Sequence, residues 1–221
     1  LAAAIASNSS SYGATGANSI AMGYQAKATG QYAFAVGYQT TATQNSAVAI
    51  GFSADATGGG SVAIGSTALA SNLESVAIGD AESTGSTSVA IGNGAAASGS
   101  ASYAIGEGAQ ASGLRGFATG FRTSDNGITG KYAWSGVSIS GNNDGSSQEG
   151  RMVLTIATTD ATPTTLTTFL TTPSATNQII LPNNSAYAFH GTIVARQQAS
   201  GGTASAAWKV EGLIRREGSA G

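Results

Sequence analysis

Cysteine is absent from the 221 residues, so neither a disulfide framework nor a thiolate metal site can organise this chain. The redox compartment therefore stays open. Proline occurs only three times, which excludes a proline-rich linker. Charged residues make up 9%, against about 25% in an ordinary globular domain. The net charge is −2, with no block of like charges, and that argues against nucleic acid and against a basic membrane-surface helix. No apolar run approaches the ~20 residues of a spanning helix, so no membrane insertion is expected. No basic-then-apolar leader is present. The chain opens on Leu1 rather than Met, as a fragment or a processed product would.

Glycine is what the chain has in excess, 32 residues and about twice the usual share. The glycines are spaced. SVAIG is written at 61–65, 75–79 and 88–92, and the glycine that ends this unit or a variant of it recurs at 23, 37, 51, 65, 79, 92, 106 and 120. The period is fourteen, with one interval of thirteen. A fixed period in a weakly charged chain predicts a solenoid. Fourteen residues suit one coil of two short strands and two turns.

Three residues before each marker stand Ile20, Phe34, Val48, Val62, Val76, Val89, Tyr103 and Phe117. One before it stand Met22, Val36, Ile50, Ile64, Ile78, Ile91, Ile105 and Thr119. Positions two apart share one face of a strand. These large residues are read as the inner wall. Between them stands an unvarying alanine, read as the outer face through which chains associate. A second strand follows, with inward pairs Ala26/Ala28, Thr40/Ala42, Ala54/Ala56, Ala68/Ala70, Ala95/Ala97 and Ala109/Ala111. In the short repeat the pair is Ala81/Ser83, the missing residue being lost from the turn after Gly79. Seven before the marker stands a second glycine in six coils, at 16, 30, 58, 85, 99 and 113, with Gln44 and Asn72 in the other two. It is read as a positive-φ turn residue.

Units such as SVAIGSTALASNLE and SVAIGDAESTG resemble the head repeats of YadA-like trimeric autotransporter adhesins, over residues 12–125. The resemblance implies a left-handed parallel β-roll, three chains around an axis, and surface adhesion.

Beyond TSDNGITGK the period is lost. Strands are expected at 132–140, 151–159, 164–170, 177–181, 186–197 and 206–215, with GNNDGSSQEG and ASGGTA as turns. The last two strands alternate apolar and polar residues, as a hairpin with one buried face does. The expected organisation is all-β: a homotrimeric roll over 1–125, then an antiparallel sandwich-like domain over 126–221 that caps the trimer. Trp134, Tyr187, Phe189 and Trp208 are its expected core aromatics. The stretch TNQIILPNNSAYAFHGTIVARQQASGGTASAAWKVEGLIRR resembles C-terminal segments of phage tail-fibre proteins.

Catalytic, cofactor and metal sites are not expected. The lone His190 reads as a structural histidine, no serine carries a GxSxG elbow, and acidic residues are scattered. Asn142, Asp144, Ser146 and Glu149 offer oxygens that calcium would accept, but their spacing is not that of a calcium loop. One surface feature suggests a ligand. Tyr24, Tyr38 and Phe52 each follow a marker glycine, beside Gln25 and Gln39, and such a strip suits a glycan. The competing reading is that the rings stack on one another and seal the edge. The sequence thus points to a non-enzymatic phage-fibre component that attaches to a bacterial surface. Its partners would be a glycan or protein receptor and other virion proteins. The alternatives are the head of a bacterial surface adhesin and, third, an ice-binding solenoid.

Overall fold

The computed structural model describes residues 11–139, 144–160, 162–169, 171–198 and 204–218. The described elements are all β, and the chain divides into two compact units after Gln178.

The first unit is built on a parallel two-sheet solenoid. One sheet stacks eight strands of two residues, from Gly13–Ala14 to Gln110–Ala111. The other stacks nine parallel strands, from Ile20–Met22 to Tyr132–Ser135, and ends in an antiparallel tenth, Glu149–Arg151. Register is strict: Val48, Ala49 and Ile50 pair with Val62, Ala63 and Ile64, and these with Val76, Ala77 and Ile78. At ~4.8 Å per rung, nine rungs span roughly 38 Å. The thirteen-residue interval is absorbed where expected. Glu82 and Ser83 stay in register with Leu69 and Ala70, so the turn after Gly79 is one residue short.

The orientation of the longer strands is the reverse of the expected one. The alanines between the large residues are the core: Ala35, Ala49, Ala63, Ala77, Ala90, Ala104 and Ala118 are all 0% exposed. They meet the alanines of the short strands, whose inward pairs are buried as expected. Val48, Ile50, Val62 and Ile64 point outward and are only half-buried. The reason is the thinness of the coil. The Ser88 hydroxyl reaches Ser83 Oγ on the facing strand at 2.7 Å and donates to Ala97 O at 3.2 Å. The Ser102 hydroxyl likewise donates to Ala111 O at 3.1 Å. A gap that one serine side chain spans admits methyl groups and excludes Val and Ile. The leading serine of SVAIG clamps the turn as well: Ser61, Ser75 and Ser88 donate to the carbonyls of Gly58, Asn72 and Gly85 at 2.7 Å.

The two glycine columns have different causes. Each marker glycine has positive φ, for example 133° at Gly51, where an added Cβ would also lie 2.0 Å from Gly65 O. The second column does not have positive φ. At Gly16 or Gly85 an added Cβ would lie 2.0 Å from the carbonyl oxygen of the next rung's glycine, so stacking is too close for a side chain at these two rungs, while Gln44 and Asn72 show that other rungs of the column accept one. The positive φ of that turn falls two residues later, at Asn18, Tyr32, Ser46 and Glu74.

The roll also runs past residue 125. Tyr132–Ser135 pairs in parallel with Phe117–Gly120, and Ala133 is fully buried. The residues taken as a boundary loop form a modified last coil. Thr123 and Asp125 occupy the inward positions and are both 0% exposed. The Asp125 carboxylate accepts from the amides of Ser112, Gly113 and Gly127 at 3.0, 2.9 and 2.9 Å. Ile128, 1% exposed, fills the end of the roll. Thr129 N donates to Thr176 O at 2.7 Å, which ties the segment after the roll to its last coil. That segment does not form the strands expected at 164–170 and 177–181. Among the described residues its strand pairing besides Glu149–Arg151 is a bridge between Thr155 and Thr167, so the strand expected at 151–159 is not formed either. Pro163 and Pro173 remove two amide donors there.

The second unit carries one hairpin, Ser185–Arg196 with Ser205–Arg216, close to the bounds expected. Its connection, ASGGTA, lies outside the described residues up to Thr203. Among the described residues no second sheet covers the hairpin, so the sandwich expectation reduces to this sheet. Phe189 and Trp208 are exposed by 44% and 52%, not core. Trp134 belongs to the roll's outer wall and is exposed too. Phe189 covers Gly212 across the strands, within 2.9 Å of where a Cβ would stand. His190, expected to be structural, is exposed opposite Glu211.

Candidate functional site

Two surfaces of the roll stand out. The first is the edge formed by the turns after the marker glycines. Gly37 and Gln39 both have positive φ, 136° and 53°, and this turn projects Tyr38 outward between them. Gly23 with Gln25 and Gly51 with Ser53 repeat the geometry. The turns form their own backbone ladder: Gln39 N to Tyr24 O at 2.7 Å, Ser53 N to Tyr38 O and Thr67 N to Phe52 O at 2.8 Å. Stacking follows. The rings of Tyr24 and Tyr38, and of Tyr38 and Phe52, have centroids 5.0 Å apart and planes within 17° and 3°. Gln39 Nε2 donates to Gln25 Oε1 at 2.8 Å beside them. All five residues of the expected strip are therefore brought together. The rings face one another, however, so Tyr38 shows only its rim.

Below Phe52 the column continues as Ser66. One rung further the short turn leaves a shallow depression of about 260 Å³, lined by Thr67, Leu69, Asp80, Glu82, Gly94 and Ala96. The Thr67 hydroxyl donates to Asp80 Oδ1.

The second surface is the outward wall, which sequence reasoning placed inside. Its two columns run from Ile20 and Met22 to Tyr132 and Trp134. Tyr103, Phe117 and Tyr132 end one column as a second aromatic stack, with centroids 5.4 and 5.3 Å apart. The signal available in the sequence was that both strands carry alanine at matching places. Two alanine faces can close on each other more tightly than alanine on valine.

The possible calcium ligands do not converge. Asn142 lies outside the described residues. Asp144 accepts from Gln110 Nε2 at 2.5 Å and lies 3.9 Å from the Arg122 guanidinium. Ser146 bonds Ser138 at 3.0 Å, and Glu149 pairs with Arg151 at 2.8 Å. Among the described residues no three His, Cys, Asp or Glu side chains form a metal-holding group. The most perturbed titratable group lies in the last coil. Burial lowers the Lys131 ammonium from 10.5 to about 8, against the opposing pull of Asp125.

An alanine-filled parallel roll with an apolar outer wall defines a stacking-repeat scaffold. Residues 14–39, 28–54, 56–81 and 97–123 match the YadA head domain repeat (2 copies), so the roll is built of YadA-like head repeats. The match supports an adhesin-like structural and binding role at an extracellular surface. No curated protein matches the chain.

Proposed function

We propose that this chain is a non-enzymatic, homotrimeric component of a phage fibre that contributes to attachment to the host surface. The observation that carries the reading is the outer wall. The interior of each coil is already full, so among the described residues no second layer covers the Val and Ile columns. Burying them around an axis shared by three copies, at ~25 cal/mol per Å², supplies the stability that methyl groups alone give sparingly. YadA-like heads form trimers, which is consistent with this arrangement. The chains meet through the Val/Ile columns and not through the alanines. The phage assignment is supported by the likeness of the 176–216 region to phage tail-fibre segments. The head repeats favour the bacterial adhesin as the second reading.

The test of assembly is the double variant Ile64→Glu with Ile78→Glu. Light scattering should show a monomer that keeps its β circular dichroism. An unchanged trimer of unchanged thermal stability would remove the wall from the interface, and a monomeric parent chain would remove the trimer. Antibodies against the chain should label virion fibres in electron micrographs. Labelling of bacterial envelopes alone would favour the adhesin.

A further inference from the structure

The aromatic edge stops abruptly, and where it stops decides what it can hold. Tyr24, Tyr38 and Phe52 stack at the rung spacing, so the lower face of Tyr24 and both faces of Tyr38 are covered by a ring. Phe52 is covered by Tyr38 on one side only. On the other side the column passes to Ser66, too small to cover a ring. Phe52 is accordingly the most exposed of the three, at 52% against 46% and 43%. The position a fourth ring would occupy is open, about one rung (~4.8 Å) deep.

A polar depression begins one rung below Phe52, at Thr67, and is lined by neither Phe52 nor Ser66. Thr67, whose amide bonds Phe52 O, lines the depression left by the thirteen-residue rung, together with the Asp80 and Glu82 carboxylates. Asp80 is tied to Thr67 through Oδ1, and Glu82 is exposed. An open aromatic face above hydroxyl and carboxylate groups suits one ligand chemistry. A pyranose offers an apolar C–H face to the ring, and its hydroxyls donate to carboxylates and exchange hydrogen bonds with Thr67.

We propose that the opening below Phe52 is a saccharide subsite, in which a neutral pyranose takes the place of the fourth ring and directs hydroxyls to Thr67, Asp80 and Glu82. The inference deepens the attachment role proposed above and narrows the expected five-residue strip to its lower end. Tyr24, Gln25, Tyr38 and Gln39 support Phe52 from above and do not themselves stack on the sugar.

The experiment uses the whole chain with cellobiose, lactose and di-N-acetylchitobiose as probes, read by saturation-transfer NMR and titration calorimetry. At least one disaccharide should bind, with its ring C–H protons saturated most. Ser66→Tyr supplies the fourth ring. It should abolish binding while leaving thermal stability equal or higher, which separates a filled site from a misfolded chain. Phe52→Ser, which repeats the residue already tolerated at 66, should weaken binding by roughly tenfold or more, as loss of one aromatic stacking partner implies. Binding that survives Ser66→Tyr, or no binding of any probe, overturns the subsite. Light scattering on the same samples reports the trimer separately, so a failure of assembly and a failure of saccharide binding are told apart.

Discussion

Replacing Lys131 with Met tests how the roll is closed. Lys131 is 4% exposed in the last coil, and among the described residues its Nζ donates to Ser124 O, at 3.4 Å. Burial lowers its pKa from 10.5 to about 8. Each tenfold change in proton affinity is worth ~1.36 kcal/mol, so the buried ammonium costs the folded state up to about 3 kcal/mol. Below pH 8 the folded and unfolded chains both hold the proton, and the folded one carries that cost in full. Between pH 8 and 10.5 the unfolded chain holds more protons, so stability rises with pH through that window. The value of about 8 already includes the attraction to Asp125, and that carboxylate keeps three backbone donors and the Ser112 hydroxyl when Lys131 is replaced. Lys131→Met should therefore exceed the parent chain in stability at pH 7 by up to about 3 kcal/mol. The advantage should shrink to nothing by about pH 10.5. Urea unfolding of both proteins across pH 7 to 10.5, compared pairwise, cancels every contribution the two proteins share. A difference that stays constant across that range would refute the argument that a buried charge is the cause.

Three further outcomes follow from the interior. Gly51→Ala forces a Cβ to within 2.0 Å of Gly65 O at a φ of 133°, and chemical denaturation should show a loss of more than about 2 kcal/mol. Thr40→Ala removes a fully buried hydroxyl that has no hydrogen-bond partner, at a place where other rungs carry alanine, and should raise stability by about 1 kcal/mol in the same assay. Ala77→Leu overfills a coil that one serine side chain can span, and should lower the melting temperature in line with about 1–3 kcal/mol, while Ile78→Leu on the outer wall changes the monomer by less than about 1.5 kcal/mol.

The period, the marker glycines, the inward pairs of the short strands, the site of the one-residue deletion and the final hairpin were all legible in the residues. These features depend on spacing, and spacing is written in the chain. The facing of the longer strands was not. Alternation defines two faces of a strand but not which one is inside, and the habit of placing Val and Ile in the core prevails unless the thickness of the coil is known. That thickness is set by the second strand, where alanine again faces inward. Asp125 looked like decay of the pattern because it replaces an alanine. It is a carboxylate that gathers backbone amides at the last coil, a role visible only once Ser112, Gly113 and Gly127 are brought around it. The aromatic strip was correctly located, but parallel stacking decides that its faces are spent on one another. Phe52, by the accident of a serine below it, keeps its lower face free of a ring.

An interior made of methyl groups has a consequence for how such a chain can change. Every rung offers its neighbours nearly the same inner surface, so one rung fits beneath any other. Gain or loss of fourteen residues alters the length of the rod by a fixed step and asks for no repacking. Even the loss of a single residue at Gly79 is taken up in a turn while the strands on both sides keep register. What distinguishes one rung from another is carried outside, on the wall and along the edges. The core is a constant thread, and the surface is the part left free to vary.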